Sequence, residues 1–296
     1  MNIQNKYIFF VLSSIASITF ASLLIRYSEV GPIASGGYRL ILTIPALFFI
    51  SRLKSPQKPI QLTQKTFLYA VMSGICFALD LAFYNIAILK TTLAEATLLT
   101  NLVPFIIAPI SIIFFKERLP LKFLIAVIFA ISGMLCLNFT HGITAQHLTG
   151  NYLALLTAIF YTLFLIFIKK ASQNYPINQA MLISCLSGGI LLFVIAYYIH
   201  QEVIFPSSSY GVCILCGIAF FGQLSGQTLL SYSIKFLPLQ LASLFLLFSP
   251  IFAAFYAYLF QDEKLVATQL FGVVIIMGAV YYGKKILAAS LNQKSF

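Results

Sequence analysis

LVPFIIAPISIIFFKERL at residues 102–119 and FSPIFAAFYAYLFQDEKL at residues 248–265 decide the fold. Each is an apolar run with a proline near its start, Pro104 in one and Pro250 in the other. Each closes on an acidic turn, Lys116–Glu117–Arg118–Leu119 or Asp262–Glu263–Lys264–Leu265, at a constant offset of 146. Near the starts of the two halves an offset of 144 sets Arg26 over Lys170, Pro32 over Pro176, and Ser13 and Ser17 over Thr157 and Tyr161. Self-similarity at one long period marks two related halves, here 1–141 and 142–296.

Ten apolar segments surround these two runs, at 7–27, 33–53, 66–89, 93–115, 121–140, 150–170, 178–199, 210–233, 239–260 and 266–288. A helix rising 1.5 Å per residue needs about 20 apolar residues to cross a bilayer, which is the length of each segment. The expected fold is therefore an all-α polytopic membrane protein of ten transmembrane helices, five in each half. Because five is odd, equivalent helices run in opposite directions, so Glu117 falls on the inner face and Glu263 on the outer. Two inverted five-helix repeats are the plan of secondary transporters, since exchanging the conformations of two similar halves turns an inward-open state into an outward-open one.

Composition supports a membrane solvent: 60% of the residues are hydrophobic and only 8% charged, where a soluble domain carries about 25% charged. The short connections leave no room for a soluble catalytic domain, and the expected protein is not an enzyme. A net charge of +11 would suggest nucleic acid in a soluble chain. Here Lys54, Lys58, Lys65, Lys116, Arg118 and Lys122 fall on one face with other bases, against only Arg26, Lys90 and Lys264 on the other. That bias is a topology signal, which places both termini in the cytoplasm and excludes a nucleic-acid partner. The first apolar stretch follows Lys6 but runs to Ile25 and is matched in the second half, so it reads as a mature helix rather than a cleaved leader. The five cysteines all fall within spans, and the Cys213–Cys216 spacing has no redox-fold or metal-site context. Gly278 to Lys285 nearly matches a phosphate loop but lacks its Ser or Thr, and His141, His147 and His200 have no ligand-type neighbours at metal spacing. No metal or other cofactor is expected.

The run Ala82–Phe83–Tyr84–Asn85–Ile86–Ala87, then Ala94 to Ala96, Pro104, Glu117–Arg118–Leu119 and Gly133, resembles the signature of the EamA family within the drug/metabolite transporter superfamily. Pro250, Glu263, Leu265 and Gly272 to Gly278 answer it in the second half, and Pro32 with Tyr38–Arg39–Leu40 is similar to the family's second-helix pattern. The resemblance implies a ten-helix inverted-repeat carrier in the bacterial inner membrane with a central cavity between the halves. It implies no particular substrate. Many members have a tryptophan near the first-helix cavity region; this chain has none, and Phe20 and Phe164 stand at equivalent positions.

Charges inside a bilayer are costly and usually face the bundle interior, so Arg39 and Asp80, with Glu95 near an outer span end, are the first site candidates. Arg39 and Asp80 lie at depths differing by only about 5 Å. They read either as an ion pair that cements two helices or as groups that bind a charged solute or carry a coupling proton. Polar residues at helical spacing form further stripes: Cys76, Asp80 and Tyr84; Thr97, Thr100, Asn101 and Pro104; Gln223, Gln227 and Ser231; Ser13 and Ser17 with Thr157 and Tyr161. Gln227 falls within one residue of the repeat equivalent of Asp80. Such stripes serve interhelical hydrogen bonding or line a hydrated cavity. The expected substrate-binding set is Asp80, Arg39, Tyr84, Asn101, Gln223, Gln227, Ser17 and Tyr161. Asp80, Glu95, Glu117, Glu263, Pro104 and Pro250 are the expected coupling or gating set.

The expected function is secondary active transport of a small organic metabolite, an amino acid or related zwitterion, by alternating access with proton coupling or exchange. The expected partners are a small-molecule substrate and the lipid bilayer. The alternative is export of amphipathic cations or xenobiotics, held by carboxylate charge and cation–π contact. A membrane-embedded enzyme or structural partner protein is disfavoured by the inverted repeat and by the lack of a catalytic cluster.

Overall fold

The computed structural model describes residues 3–53, 62–90, 99–107, 110, 120–138, 148–173, 175–199, 201–261 and 267–292. All regular structure among them is helical. In chain order the helices are α1 (Ile3–Ile25), α2 (Pro32–Ile41), α3 (Ile44–Leu53), α4 (Gln64–Lys90), α5 (Leu121–Asn138), α6 (Leu148–Gln173) and α7 (Ile177–Val194), which continues as a π-helical turn over Ile195–Ile199. There follow α8 (Ser209–Gly217), a π-helical stretch over Ile218–Thr228, α9 (Leu229–Ile234), α10 (Leu239–Leu246), α11 (Ser249–Gln261) and α12 (Ala267–Asn292).

Among the described residues seven apolar stretches are long enough to cross a membrane: Asn5–Ile25, Pro32–Leu53, Gln64–Ala87, Leu148–Gln173, Ile177–Ile199, Ser209–Ile234 and Leu239–Phe260. Each falls within a few residues of an expected span. The fourth expected span lies largely outside the described residues, and α5 and α12 occupy the fifth and tenth. Ile128, Phe129, Phe205, Phe271, Val274 and Tyr281 are exposed. So much outward apolar surface needs hydrocarbon, not water, as its solvent.

Three of the spans are interrupted in one way. A two-residue turn at Leu42–Thr43, Asn101–Leu102 or Leu247–Phe248 is followed by a resumed helix whose second residue is Pro45, Pro104 or Pro250. Proline has no N–H to give the preceding turn and suits the first turn of a helix, so each proline both permits the break and starts the next segment. At Asn101 and Ser249 the breaks meet, with the Ser249 hydroxyl donating to Asn101 Oδ1 at 3.1 Å.

The chain forms two compact units, each drawing on both halves of the sequence: Met1–Asn85 with Phe160–Phe236, and Ile86–Ile159 with Leu237–Phe296. In the second unit α5 lies along α12, and Gly133 faces the Gly272 backbone so closely that a Cβ there would stand 2.9 Å from its carbonyl oxygen. In the first unit α1 packs on the π-helical stretch and α9, and α2 packs on α7 and the π-helical stretch.

A reciprocal clasp holds the first unit's loops. Glu202 accepts from the backbone N–H groups of Ile33 (3.3 Å) and Ala34 (2.8 Å), in the first turn of α2. Glu29, from the loop before α2, accepts from the N–H groups of Ser207 (2.8 Å) and Ser208 (3.0 Å) and from the Ser208 hydroxyl, just ahead of α8. Each carboxylate thus serves the positive end of a helix dipole and its unsatisfied donors. The hydrogen bond from the Ser208 hydroxyl, with further ones from Ser207 and Ser208, holds the Glu29 carboxyl below its usual value of 4.5. Its stabilisation is accordingly present above that value and lost as pH falls through the depressed one. Glu29→Gln is expected to lower the melting temperature at neutral pH, with the gap to the parent protein closing in acid; a gap independent of pH would contradict this role.

Candidate functional site

Arg39 is buried on α2, three residues before the chain breaks at Leu42. Its Nη2 donates to the Gly222 carbonyl at 2.8 Å, and its guanidinium carbon lies 5.4 Å from the centre of the Phe77 ring. Only glycine admits this approach: a Cβ at residue 222 would stand 2.8 Å from Arg39 Nε and 3.1 Å from the Ala21 methyl.

Gly222 sits in the π-helical stretch Ile218–Thr228, whose wider turn bonds residue i to i+5. Carbonyls along this stretch accept from neighbouring helices: Ala219 from the Thr43 hydroxyl (3.3 Å), Phe221 from the Ser17 hydroxyl (2.9 Å) and Gly222 from Arg39. Side chains of the stretch follow the i+5 spacing too, with Ser225 Oγ donating to Phe220 O (3.0 Å) and Thr228 Oγ1 to Gln223 O (2.8 Å). These external donors add to the wider backbone ladder of the stretch, and a membrane interior favours such extra partners wherever the backbone is irregular.

This backbone carries the amides of Gln223 and Gln227, both almost wholly buried. The Tyr161 hydroxyl donates to Gln227 Oε1 at 3.3 Å, and Gln223 Nε2 donates to Cys185 Sγ at 3.3 Å. Phe77 stacks on Phe164 with ring centres 4.5 Å apart, and Tyr161 lies 5.8 Å from Phe164. Asp80, also buried, lies one turn along α4 from Cys76 and Phe77. Four buried polar atoms lack a hydrogen-bond partner among the described residues: Arg39 Nε, Gln223 Oε1, Gln227 Nε2 and Ser231 Oγ. Leaving such groups unmade costs about 1–3 kcal/mol each. A polar partner that reached any of them would recover that cost.

Arg39, Asp80, Tyr161, Gln223 and Gln227, expected from dispersed parts of the sequence, thus come together within one compact unit. Among the described residues no hydrogen bond or ion pair joins Arg39 to Asp80, and Arg39 Nη2 goes to the Gly222 carbonyl instead. Ser17 bridges α1 to the π-helical stretch through Phe221 O and the Ser225 hydroxyl (2.6 Å). Tyr84 lies one turn along α4 from Asp80, half-buried. Asn101, Pro104 and Pro250 belong to the other unit, at its helix breaks. Glu95, Glu117 and Glu263 lie outside the described residues. Sequence reasoning did not single out Phe77, Cys185, Thr43 or Gly222. The face that Phe77 shares was visible one position from Cys76, but nothing in the sequence marks a carbonyl as an acceptor.

Comparison with known proteins agrees with a transport protein. The family model described as the EamA-like transporter family matches residues 5–139 and again 148–282. A crystal structure of a protein 14% identical in sequence superposes with a TM-score of 0.76, covering 93% of this chain and 97% of that one, which is a likeness of fold. No curated protein matches the chain significantly.

Removing the Tyr161 hydroxyl separates packing from site chemistry. Tyr161→Phe keeps the ring but strips Gln227 Oε1 of its donor, at a cost of about 1 kcal/mol. Adding Gln227→Leu, which removes the orphaned amide, is expected to recover that stability in thermal unfolding while leaving the protein inactive in flux. Restored stability with normal flux would remove Gln227 from the site.

Proposed function

The chain belongs to the EamA-like transporter family, and from that premise we propose that it moves a small organic metabolite, an amino acid or related zwitterion, across the bacterial inner membrane by alternating access. In this reading ten helices form two inverted five-helix repeats with both termini cytoplasmic, and Pro104 and Pro250 serve as hinges at matched breaks. Glu95, Glu117 and Glu263 act at the span ends as gating or coupling groups.

The observation that carries the proposal is the buried polar cluster in which Arg39 donates to a backbone carbonyl and, among the described residues, makes no ion pair with Asp80. A site with an unsatisfied guanidinium N–H and a buried carboxyl for which no direct partner stands among the described residues suits a guest bearing opposite charges. Arg39 Nε and Gln227 Nε2 offer donors to a carboxylate, and Gln223 Oε1 accepts from an ammonium group. Asp80 is completed by the guest's ammonium group or by the coupling proton. Tyr161 orients Gln227, and Tyr84 extends the polar face of α4.

The stacked rings of Phe77, Phe164 and Tyr161 favour a second reading, transport of amphipathic cations, because aromatic faces attract cations once both are desolvated. A substrate series with and without a carboxylate, assayed by flux in proteoliposomes, separates the two readings. Asp80→Asn is expected to abolish uptake driven by a pH gradient while leaving substrate exchange; flux with unchanged pH dependence would overturn the coupling role.

A further inference from the structure

The π-helical stretch accepts side-chain donors from neighbouring helices, and one of them, Arg39, is also the cationic member of the proposed solute site. Three donors reach its carbonyls, but the Ser17 and Thr43 hydroxyls are neutral, and Thr43 also donates to its own helix at Arg39 O, 2.8 Å. Among the described residues Arg39 makes the one charge-assisted contact, at Gly222 near the middle of the stretch. Its guanidinium is confined by the Phe77 ring and by the space that Gly222 leaves.

We propose that Arg39 is a register latch: while it holds the Gly222 carbonyl the stretch Ile218–Thr228 stays π-helical, and when it lets go the stretch resets to an α-helix. The inference rests on the reading that this cluster is the solute site, and it adds how occupancy is felt by the helix. Going from i+5 to i+4 bonding removes one residue from the turn. Each turn of the stretch tightens, so everything beyond it rotates about the helix axis. Gln227 and Ser231 follow Gly222 in the chain, so the reset turns them away from where they now lie, and Ser225 leaves the Ser17 hydroxyl. An anionic group that takes the Arg39 fork competes directly with the Gly222 carbonyl for Nη2, so binding there releases the latch.

The Ser17 and Ser225 hydroxyls, 2.6 Å apart across α1 and the π-helical stretch, report the register. In the full chain in lipid nanodiscs, the pair Ser17→Cys and Ser225→Cys is expected to cross-link rapidly under mild oxidation. Adding Arg39→Gln is expected to slow that reaction by about tenfold or more, the factor equivalent to a lost hydrogen bond from a charged group. Gly222→Ala, whose new methyl displaces the guanidinium, is expected to do the same. A second pair, Ser28→Cys and Ser35→Cys, whose hydroxyls lie 2.8 Å apart away from the stretch, should cross-link at one rate in every background and so verifies folding. Saturating acetate, which offers the guanidinium a carboxylate, is expected to slow the first pair only where Arg39 is present. Parent-like cross-linking in both Arg39→Gln and Gly222→Ala would overturn the latch, and indifference of the Arg39 chain to acetate would overturn its release by an anion. No flux is read, so these outcomes stand apart from the success or failure of the carrier assignment.

Discussion

A hydrogen bond between a buried guanidinium and a backbone carbonyl, Arg39 to Gly222, is the interaction from which the site follows. Inside a bilayer no water meets an unsatisfied carbonyl or a bare charge, so irregular backbone survives only where the protein supplies partners. Arg39 does so, with Ser17 and Thr43, and the widened turn they support carries Gln223 and Gln227. The same side chain leaves its Nε without a partner among the described residues. Charge, irregular backbone and orphaned amides are thus parts of one arrangement.

The helices bearing these groups are oriented from their ends. α2, which carries Arg39, starts at Pro32 with its first N–H groups on Glu202, and Asn85 Nδ2 donates to the Pro32 carbonyl at 2.7 Å. α8, which runs into the π-helical stretch, starts under Glu29 and the Ser208 hydroxyl, which accepts from Gly211 N at 3.0 Å. Deeper in the same unit α4 and α7 approach through Gly74 and Gly188, where a Cβ on Gly188 would stand 2.6 Å from the Gly74 carbonyl. Ser73 Oγ donates to Ser184 Oγ at 2.9 Å beside that contact. Small residues bring the backbones close and hydroxyls join them, the usual way to pack helices without a hydrophobic driving force.

Span positions were legible because apolar length is a one-dimensional property: the expected 33–53, 178–199 and 239–260 differ from Pro32–Leu53, Ile177–Ile199 and Leu239–Phe260 by a residue at most. The charged and amide members of the site were legible because buried Arg, Asp and Gln are rare in apolar sequence. Their partners were not. Depth along two helices brought Arg39 and Asp80 level, but it carries no information about azimuth, and the acceptor chosen was a backbone group that every residue possesses. The clasp escaped notice for a similar reason: Glu29 and Glu202 lie in separate loops, and a loop carboxylate declares its helix end only when the chain is folded. The π-helical stretch has no periodic mark of its own, since Gln223, Gln227 and Ser231 share a face under ordinary helical spacing as well.

The most direct test of this account is the melting temperature of the detergent-purified protein against amino acids, amines, nucleosides and organic acids, for the parent, Asp80→Asn and Gln227→Leu. A ligand that binds the folded state raises the apparent melting temperature by mass action. The account predicts a rise with one chemical class in the parent protein and a much smaller rise in both variants. An equal rise in all three would place the solute elsewhere and contradict the assignment of the buried cluster as its site.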